Sequence, residues 1–184
     1  AAAVEGFKRA LTMAPLDAEA RLGLGGAILG VALRTGNKGL FEEAVAAYDA
    51  AVRIQPDDPR AWAGRGELKR WRGDYDGAVA DATAAIQRRK DFYPAYNTRG
   101  LALYSSLKFD AALADVDVVC TLAPAMATPR ITRAGILVAM GRYDDAETDL
   151  AAALERNPTE AERAMVTGLR TQLAARRKTA PPPK

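Results

Sequence analysis

The sequence predicts an all-α fold of stacked helical hairpins, and three observations predict it. The first is recurrence. Trp62, Gly66, Tyr75, Ala78 and Ala85 return as Tyr96, Gly100, Phe109, Ala112 and Val119, each shifted by 34. A further 34 carries Phe109 to Tyr143, Ala112 to Ala146 and Pro124 to Pro158. A period of that length is the mark of repeated two-helix units. The second is composition. The chain is 49% hydrophobic with 7% aromatic residues. Alanine dominates, and it combines the best helix propensity with little bulk, so close-packed helices are favoured over strands. The third is punctuation: Gly73-Asp74 interrupts two helix-length stretches within one period.

The elements follow in order. Ala3, Phe7, Ala10 and Pro15 match Ala44, Tyr48, Ala51 and Pro56, each shifted by 41, which is one period plus seven. Residues 1–16 therefore read as the second half of a hairpin. The chain begins in mid-repeat and without Met, as a piece of a longer or processed polypeptide would. The extra seven residues fall between Gly25 and Phe41, which are 16 apart where Gly66 and Tyr75 are 9 apart. Seven residues are about two helical turns, so added helix stays in phase. An elongated first helix is expected over roughly Asp17 to Thr35, either as a plain extension or as a lip at the edge of a binding surface. It opens a repeat of about residues 17–58.

The next unit, residues 59–92, predicts helices over Arg60 to Arg72 and Tyr75 to Arg89. Gly73 suits a helix end because it accepts positive φ, and Asp74 suits the cap of the following helix. So short a turn makes the helices antiparallel neighbours. Units 93–126 and 127–158 repeat the plan. Closing prolines stand at Pro15, Pro56, Pro124 and Pro158, whereas Lys90 occupies that place in one unit and Pro94 is expected to break the chain instead. Residues 159–177 predict an end helix capped by Thr159, with Met165, Leu169 and Leu173 on one face and a polar outer face that keeps a solenoid soluble. Residues 178–184 predict a disordered tail, since Ala180-Pro-Pro-Pro-Lys184 cannot continue a helix.

Small residues mark where helices touch. Gly66 and Gly100 share one repeat position, which Ala134 takes in the fourth unit, and Ala78, Ala112 and Ala146 share another. Gly66→Leu is expected to overpack and cost about 1–3 kcal/mol. Trp62, Tyr75, Tyr96, Phe109 and Tyr143 read as core residues beside them. Arg65, Arg99 and Arg133 recur at the same interval, as do Asp81, Asp115 and Asp149. The first complete unit has Leu24 and Ala47 there, so both charges are lost together. That joint loss predicts an ion pair across the two helices of each unit.

These landmarks resemble the tetratricopeptide repeat, whose order of Trp, Leu-Gly, Tyr, Ala, Phe, Ala and Pro is met over several units of residues 1–158. The resemblance implies a right-handed α-α superhelix with a C-terminal capping helix. It also implies a non-catalytic protein-protein interaction scaffold that takes a peptide or partner domain in a groove lined by first helices. The groove positions it implies include Arg60, Gly64, Glu67, Arg70 and Trp71, then Asn97, Thr98, Leu101, Tyr104 and Ser105, then Ile131, Thr132, Gly135 and Val138. Trp71, Leu101 and Tyr104 would give apolar area, Asn97 would bond a peptide backbone, and Arg60 and Arg70 would take a carboxylate. A subtype of the family clamps chaperone C-termini with Lys, Asn and Arg. Leu22, Gly26 and Gly64 stand at three of those places, so no such clamp is expected.

Other classes fare worse. No His and one Cys, Cys120, leave no ligand set for a usual zinc cage and no disulfide within the chain. Ser105, Ser106 and Cys120 have no His to activate them, and Cys120 reads as a core residue. Asp144 and Asp145 read as turn and cap residues. Gly23, Gly25 and Gly26 lack the spacing and the preceding strand of a phosphate loop. No catalytic residue, metal or cofactor is expected. The net charge of +3 is carried by the end: without residues 176–184 the chain has 22 basic and 23 acidic residues. That balance argues against nucleic acid. The longest apolar run, Leu22 to Leu33, is too short to span a bilayer. Two alternatives to the scaffold stand: self-association through the uncovered first half repeat, and a regulatory appendage to an enzyme in a longer parent chain.

Overall fold

A computed structural model describes residues 2–37 and 39–179, with Thr179 by its backbone alone. Among these residues there are ten helices and no strand: α1 (Ala2–Met13), α2 (Ala18–Thr35), α3 (Gly39–Ile54), α4 (Pro59–Trp71), α5 (Tyr75–Arg88), α6 (Tyr93–Ser105), α7 (Phe109–Leu122), α8 (Thr128–Ala139), α9 (Tyr143–Leu154) and α10 (Glu160–Thr179). They form two compact units, residues 1–102 and 103–184, whose boundary falls within α6.

In the first unit α1 packs on α2, while α2–α3 and α4–α5 are hairpins. The elongated helix is present. Asp17 caps α2 by accepting from Ala20 N at 3.0 Å, and Gly36 ends it at φ 66°. Asp74 caps α5 as expected, accepting from Gly77 N at 3.0 Å after Gly73 turns at φ 82°. The break near Lys90 is made by Arg89, which leaves the helix in an extended conformation. Pro94 lies in the first turn of α6, where its missing N–H costs nothing. It starts a helix rather than ending one.

The core of this unit is set by aromatic side chains entering glycine gaps. Tyr48 of α3 is buried with Leu24, Ile28, Ala44, Ala47 and Leu68. Its ring lies so close to α2 and α4 that a Cβ at Gly25 would stand 2.8 Å from it and one at Gly64 2.3 Å. Phe7 does the same to Gly23, at 2.4 Å. Burial, with a smaller contribution from the Glu67 charge, pushes the Tyr48 phenol up to about 12. Gly66 sits under the backbone of α5, where a Cβ would be 3.2 Å from the Ala78 carbonyl oxygen.

In the second unit α7 packs on α8, α8–α9 is a hairpin, and α10 closes over both of its helices. Val166 and Leu173 of α10 join Ala127, Ile131, Ala134, Leu137, Val138, Ala146 and Leu150 in one cluster. Thr159 and Glu162 begin α10 with a reciprocal cap: Thr159 N donates to Glu162 at 2.8 Å, and Glu162 N donates to Thr159 Oγ1 at 3.3 Å. This is the capping-box arrangement. The Thr128 hydroxyl also donates to Glu162, and together these bonds hold its carboxyl below the usual range. α10 runs two residues beyond the expected end, to Thr179. The tail expected at 180–184 lies outside the described residues.

One turn departs from the repeat. Gly73 and Gly141 reach positive φ at equivalent places, but the residue between them in the series is Leu107, at φ 60°. A non-glycine residue there costs about 1–2 kcal/mol. The Leu107 side chain is 73% exposed, so little packing offsets the strain. Leu107→Gly is expected to stabilise the protein by about 1 kcal/mol, read as a rise in the urea midpoint. An unchanged or lower midpoint would refute it.

Candidate functional site

The exposed face of the first unit is organised by α4. Trp71, at its end, is 49% exposed. Its indole Nε1 donates to Glu67 Oε1 at 2.8 Å, one helical turn back. Arg70 donates to both oxygens of the same carboxylate, at 3.0 and 2.7 Å, and its guanidinium lies 4.6 Å from the indole centroid. The indole is thus fixed from two sides by residues of its own helix. Phe41, Glu42 and Arg72 complete a cleft beside it, with Arg72 and Glu42 paired at 2.9 Å.

The other implied groove residues take different places. Arg60 donates to Asp58 at 3.0 Å through Nε and to Glu19 at 3.1 Å through Nη1, with a further bond from Nη2 to Glu19. Both Arg60 and Arg70 are therefore engaged by carboxylates of this chain, and neither offers an unpaired cation to a carboxylate guest. Asn97 and Leu101 are half-buried, whereas Thr98 is 4% exposed. In the second unit Tyr104 packs at a tilt against Phe109, with ring centroids 5.8 Å apart. Ile131 is 1% exposed and lies in the cluster that α10 covers. Thr98 and Ile131 present no surface to a guest. The register places them on the groove side, but burial between helices decides their role.

The arginine series does more than the sequence suggests. Arg65 binds Asp81 of its own hairpin through Nε and Nη2 at 2.8 and 2.7 Å, and it also reaches Asp49 of α3 at 2.7 Å. Arg133 repeats this with Asp149 at 2.7 and 2.5 Å and with Asp117 of α7 at 2.7 Å. Arg99 reaches Thr83 of α5 at 3.2 Å. Asp49, Thr83 and Asp117 are themselves 34 apart. Each guanidinium thus ties to the preceding hairpin, a second role that this unremarked series signals. Arg88 and Arg156 add another tie by donating to the carbonyls of Pro56 and Pro124.

Among the described residues, nothing in the arrangement collects reactive groups. Burial pushes the Cys120 thiol up, away from the thiolate that nucleophilic chemistry needs. Asp145 pairs with Arg142 at 2.6 Å and Asp144 with Arg177 at 2.5 Å. Both lie in the first turn of α9, though neither makes a side-chain cap there. No helix among the described residues is long and apolar enough to cross a membrane.

Comparisons agree with this architecture. The family model described as tetratricopeptide repeat matches residues 1–59, 32–94 and 132–179. DnaJ homolog subfamily C member 3 of mouse and of human are each 34% identical over 90 residues, 47% of this chain. The chain matches only 18% of their length. Among solved structures, TTC0263, a thermophilic tetratricopeptide protein of Thermus thermophilus, has a TM-score of 0.74 at 23% identity, covering 94% of this chain and 87% of its own. YrrB, described as having an unusual peptide-binding site, has a TM-score of 0.66 at 19% identity, covering 93% and 92%. MamA has a TM-score of 0.69 at 19% identity, covering 84% and 86%. With an all-helical fold, the hairpin landmarks in place and the family model matched over more than half of its length, the chain belongs to the tetratricopeptide repeat family.

Proposed function

We propose that this chain is a non-catalytic protein-interaction module that holds an apolar peptide segment on the face of α4 and α6 in its first unit. The observation that carries this reading is Trp71. A half-exposed indole clamped by Glu67 and Arg70 has little freedom left to lose on binding, and such aromatic anchors dominate interface energies. Leu101 and the cleft beside Phe41 extend the apolar surface. Asn97 supplies a donor and an acceptor for a peptide backbone. Because Arg60 and Arg70 are already neutralised, the favoured guest is apolar or aromatic rather than acidic. YrrB, of similar fold, is described as having a peptide-binding site, which is consistent with this reading.

The test is selection of binders from a displayed random-peptide library, followed by affinity measurement on variants. Trp71→Ala is expected to weaken the selected peptides by about tenfold or more, equivalent to about 1.4 kcal/mol or more. Glu147→Ala, on α9 of the second unit, is expected to leave them unchanged. Binders indifferent to Trp71→Ala, or sensitive to both, would place the surface elsewhere.

A further inference from the structure

We infer that the Tyr48 hydroxyl, reaching from α3 to the face formed by α2 and α4, donates a hydrogen bond to a main-chain carbonyl of the bound peptide. The inference rests on the peptide-binding reading above and names a contact within that surface that comes from a second helix rather than a first.

The hydroxyl is more than the packing asks for. Phe7 and Gly23 stand 41 residues before Tyr48 and Gly64, and at both junctions a ring fills the space that a glycine leaves. Phenylalanine does this at the first junction, so the ring alone suffices. Tyr48 adds an oxygen at a site that is only 6% exposed. Among the described residues, no group hydrogen-bonds that oxygen. Glu67 acts on the phenol through its charge, but its carboxylate oxygens are held by Arg70 and Trp71. A buried hydroxyl without a partner is destabilising, and phenylalanine would avoid that.

The oxygen is nevertheless not sealed in. Among the described residues, the fully enclosed side-chain polar atoms without a partner are Arg21 Nε and Arg170 Nε, and the Tyr48 oxygen is not one of them. Two glycines flank it: a Cβ at Gly64 would stand 2.8 Å from the oxygen and one at Gly26 3.5 Å. The ring itself requires Gly64. Nothing in the packing requires Gly26, which is exposed and whose Cβ would make only an ordinary contact. A helical glycine is less stable than alanine. The same repeat place holds Glu67 in α4 and Leu101 in α6, 41 and 75 residues on. Where those two carry long side chains, Gly26 carries none, and the hydroxyl is left uncovered.

The chemistry of this opening selects the guest. Burial and the Glu67 charge raise the phenol to about 12, so it is neutral and keeps its proton to donate. The Glu67 carboxylate repels an anionic acceptor, whereas a neutral carbonyl meets no such penalty. With no side chain at Gly26 or Gly64, a peptide backbone can come within hydrogen-bond distance. Gly64, Glu67 and Trp71 follow one another along one face of α4. Gly64 and Trp71 are about 10 Å apart along the axis, which an extended peptide covers with about three residues. The carbonyl that meets Tyr48 therefore lies about three residues from the side chain that meets Trp71.

Peptides selected on the wild-type chain test this with two variants. Tyr48→Phe is expected to weaken them about three- to tenfold, the range of one net hydrogen bond, while the urea midpoint stays level or rises. Gly26→Ala is expected to weaken them at least as much, because its methyl group covers the hydroxyl. It is also expected to raise the urea midpoint, because alanine favours the helix. A packing role would not lose binding in a protein that is no less stable. Ester replacement of each peptide bond in turn then locates the carbonyl, since an ester oxygen is the poorer acceptor. One ester, near the position given above, is expected to weaken binding to the wild-type chain but not to Tyr48→Phe. Peptides that need Trp71 yet bind Tyr48→Phe within about twofold of wild type would overturn the inference and leave the peptide reading standing. So would a urea midpoint lowered by Tyr48→Phe, or ester losses that are the same in both proteins. Peptides indifferent to Trp71→Ala, Tyr48→Phe and Gly26→Ala alike, or a library that yields no binder, would overturn both.

Discussion

Arg133→Met is expected to destabilise the protein by about 3 kcal/mol, a fall of roughly 6–12 °C in the thermal midpoint for a chain of this size. The cost comes from what is left behind. Asp149 is 4% exposed, and its bidentate partner would be gone. The nearest remaining cation is Arg130, at 3.8 Å. Methionine keeps the length and apolar volume of the arginine stem, so the change isolates the charge. The equivalent Arg65→Met is expected to cost about half as much. There Asp81, equally buried, also holds Lys69 at 2.9 Å, and the carboxylate would keep a close partner. Asp117→Ala breaks only the more exposed arm of the Arg133 bridge, its carboxylate being 51% exposed, and is expected to cost within about 1 kcal/mol. The ranking is the test: thermal melts of the three variants that show Arg65→Met at least as damaging as Arg133→Met would remove Lys69 from the account.

That ranking rests on features of which only part could be read beforehand. The Arg and Asp series was legible because both recur at the repeat interval and vanish together at Leu24 and Ala47. The second set of partners was not, because Thr83 and Ala151 interrupt its acidic character, and a broken series looks like ordinary surface charge. The elongated α2 could be placed by arithmetic between matched landmarks, to within a residue of its observed start. Leu107 could not be foreseen in a left-handed conformation: the usual signal is glycine, and here the repeat geometry imposes φ without it. On the candidate face, the i,i+4 spacing of Glu67 and Trp71 was available, whereas the burial of Ile131 was not. Its accessibility depends on α10, which lies outside the repeat whose positions identified it.

Gly64→Ala is expected to destabilise the first unit by about 2–3 kcal/mol, against the usual gain of about 1 kcal/mol when alanine replaces glycine within a helix. The sign is reversed by one neighbour. The new Cβ would come within 2.3 Å of the Tyr48 ring, and the ring cannot retreat, because Gly25 of α2 approaches its other side to a Cβ distance of 2.8 Å. Packed interiors transmit such a displacement rather than absorb it, so α2, α3 and α4 would all shift. Gly66, the glycine that carries the repeat pattern, is the lesser constraint. Its Cβ would stand 3.2 Å from a backbone oxygen, tight but not overlapping. The explanation makes a second prediction that simple loss of glycine flexibility does not. In a Tyr48→Val background, which is itself destabilised by the cavity it leaves, Gly64→Ala is expected to be neutral or stabilising. Urea unfolding of the four proteins in this cycle measures the coupling between the two sites. A coupling below about 0.5 kcal/mol, the scatter expected of independent positions, would mean that Tyr48 is not what keeps position 64 a glycine.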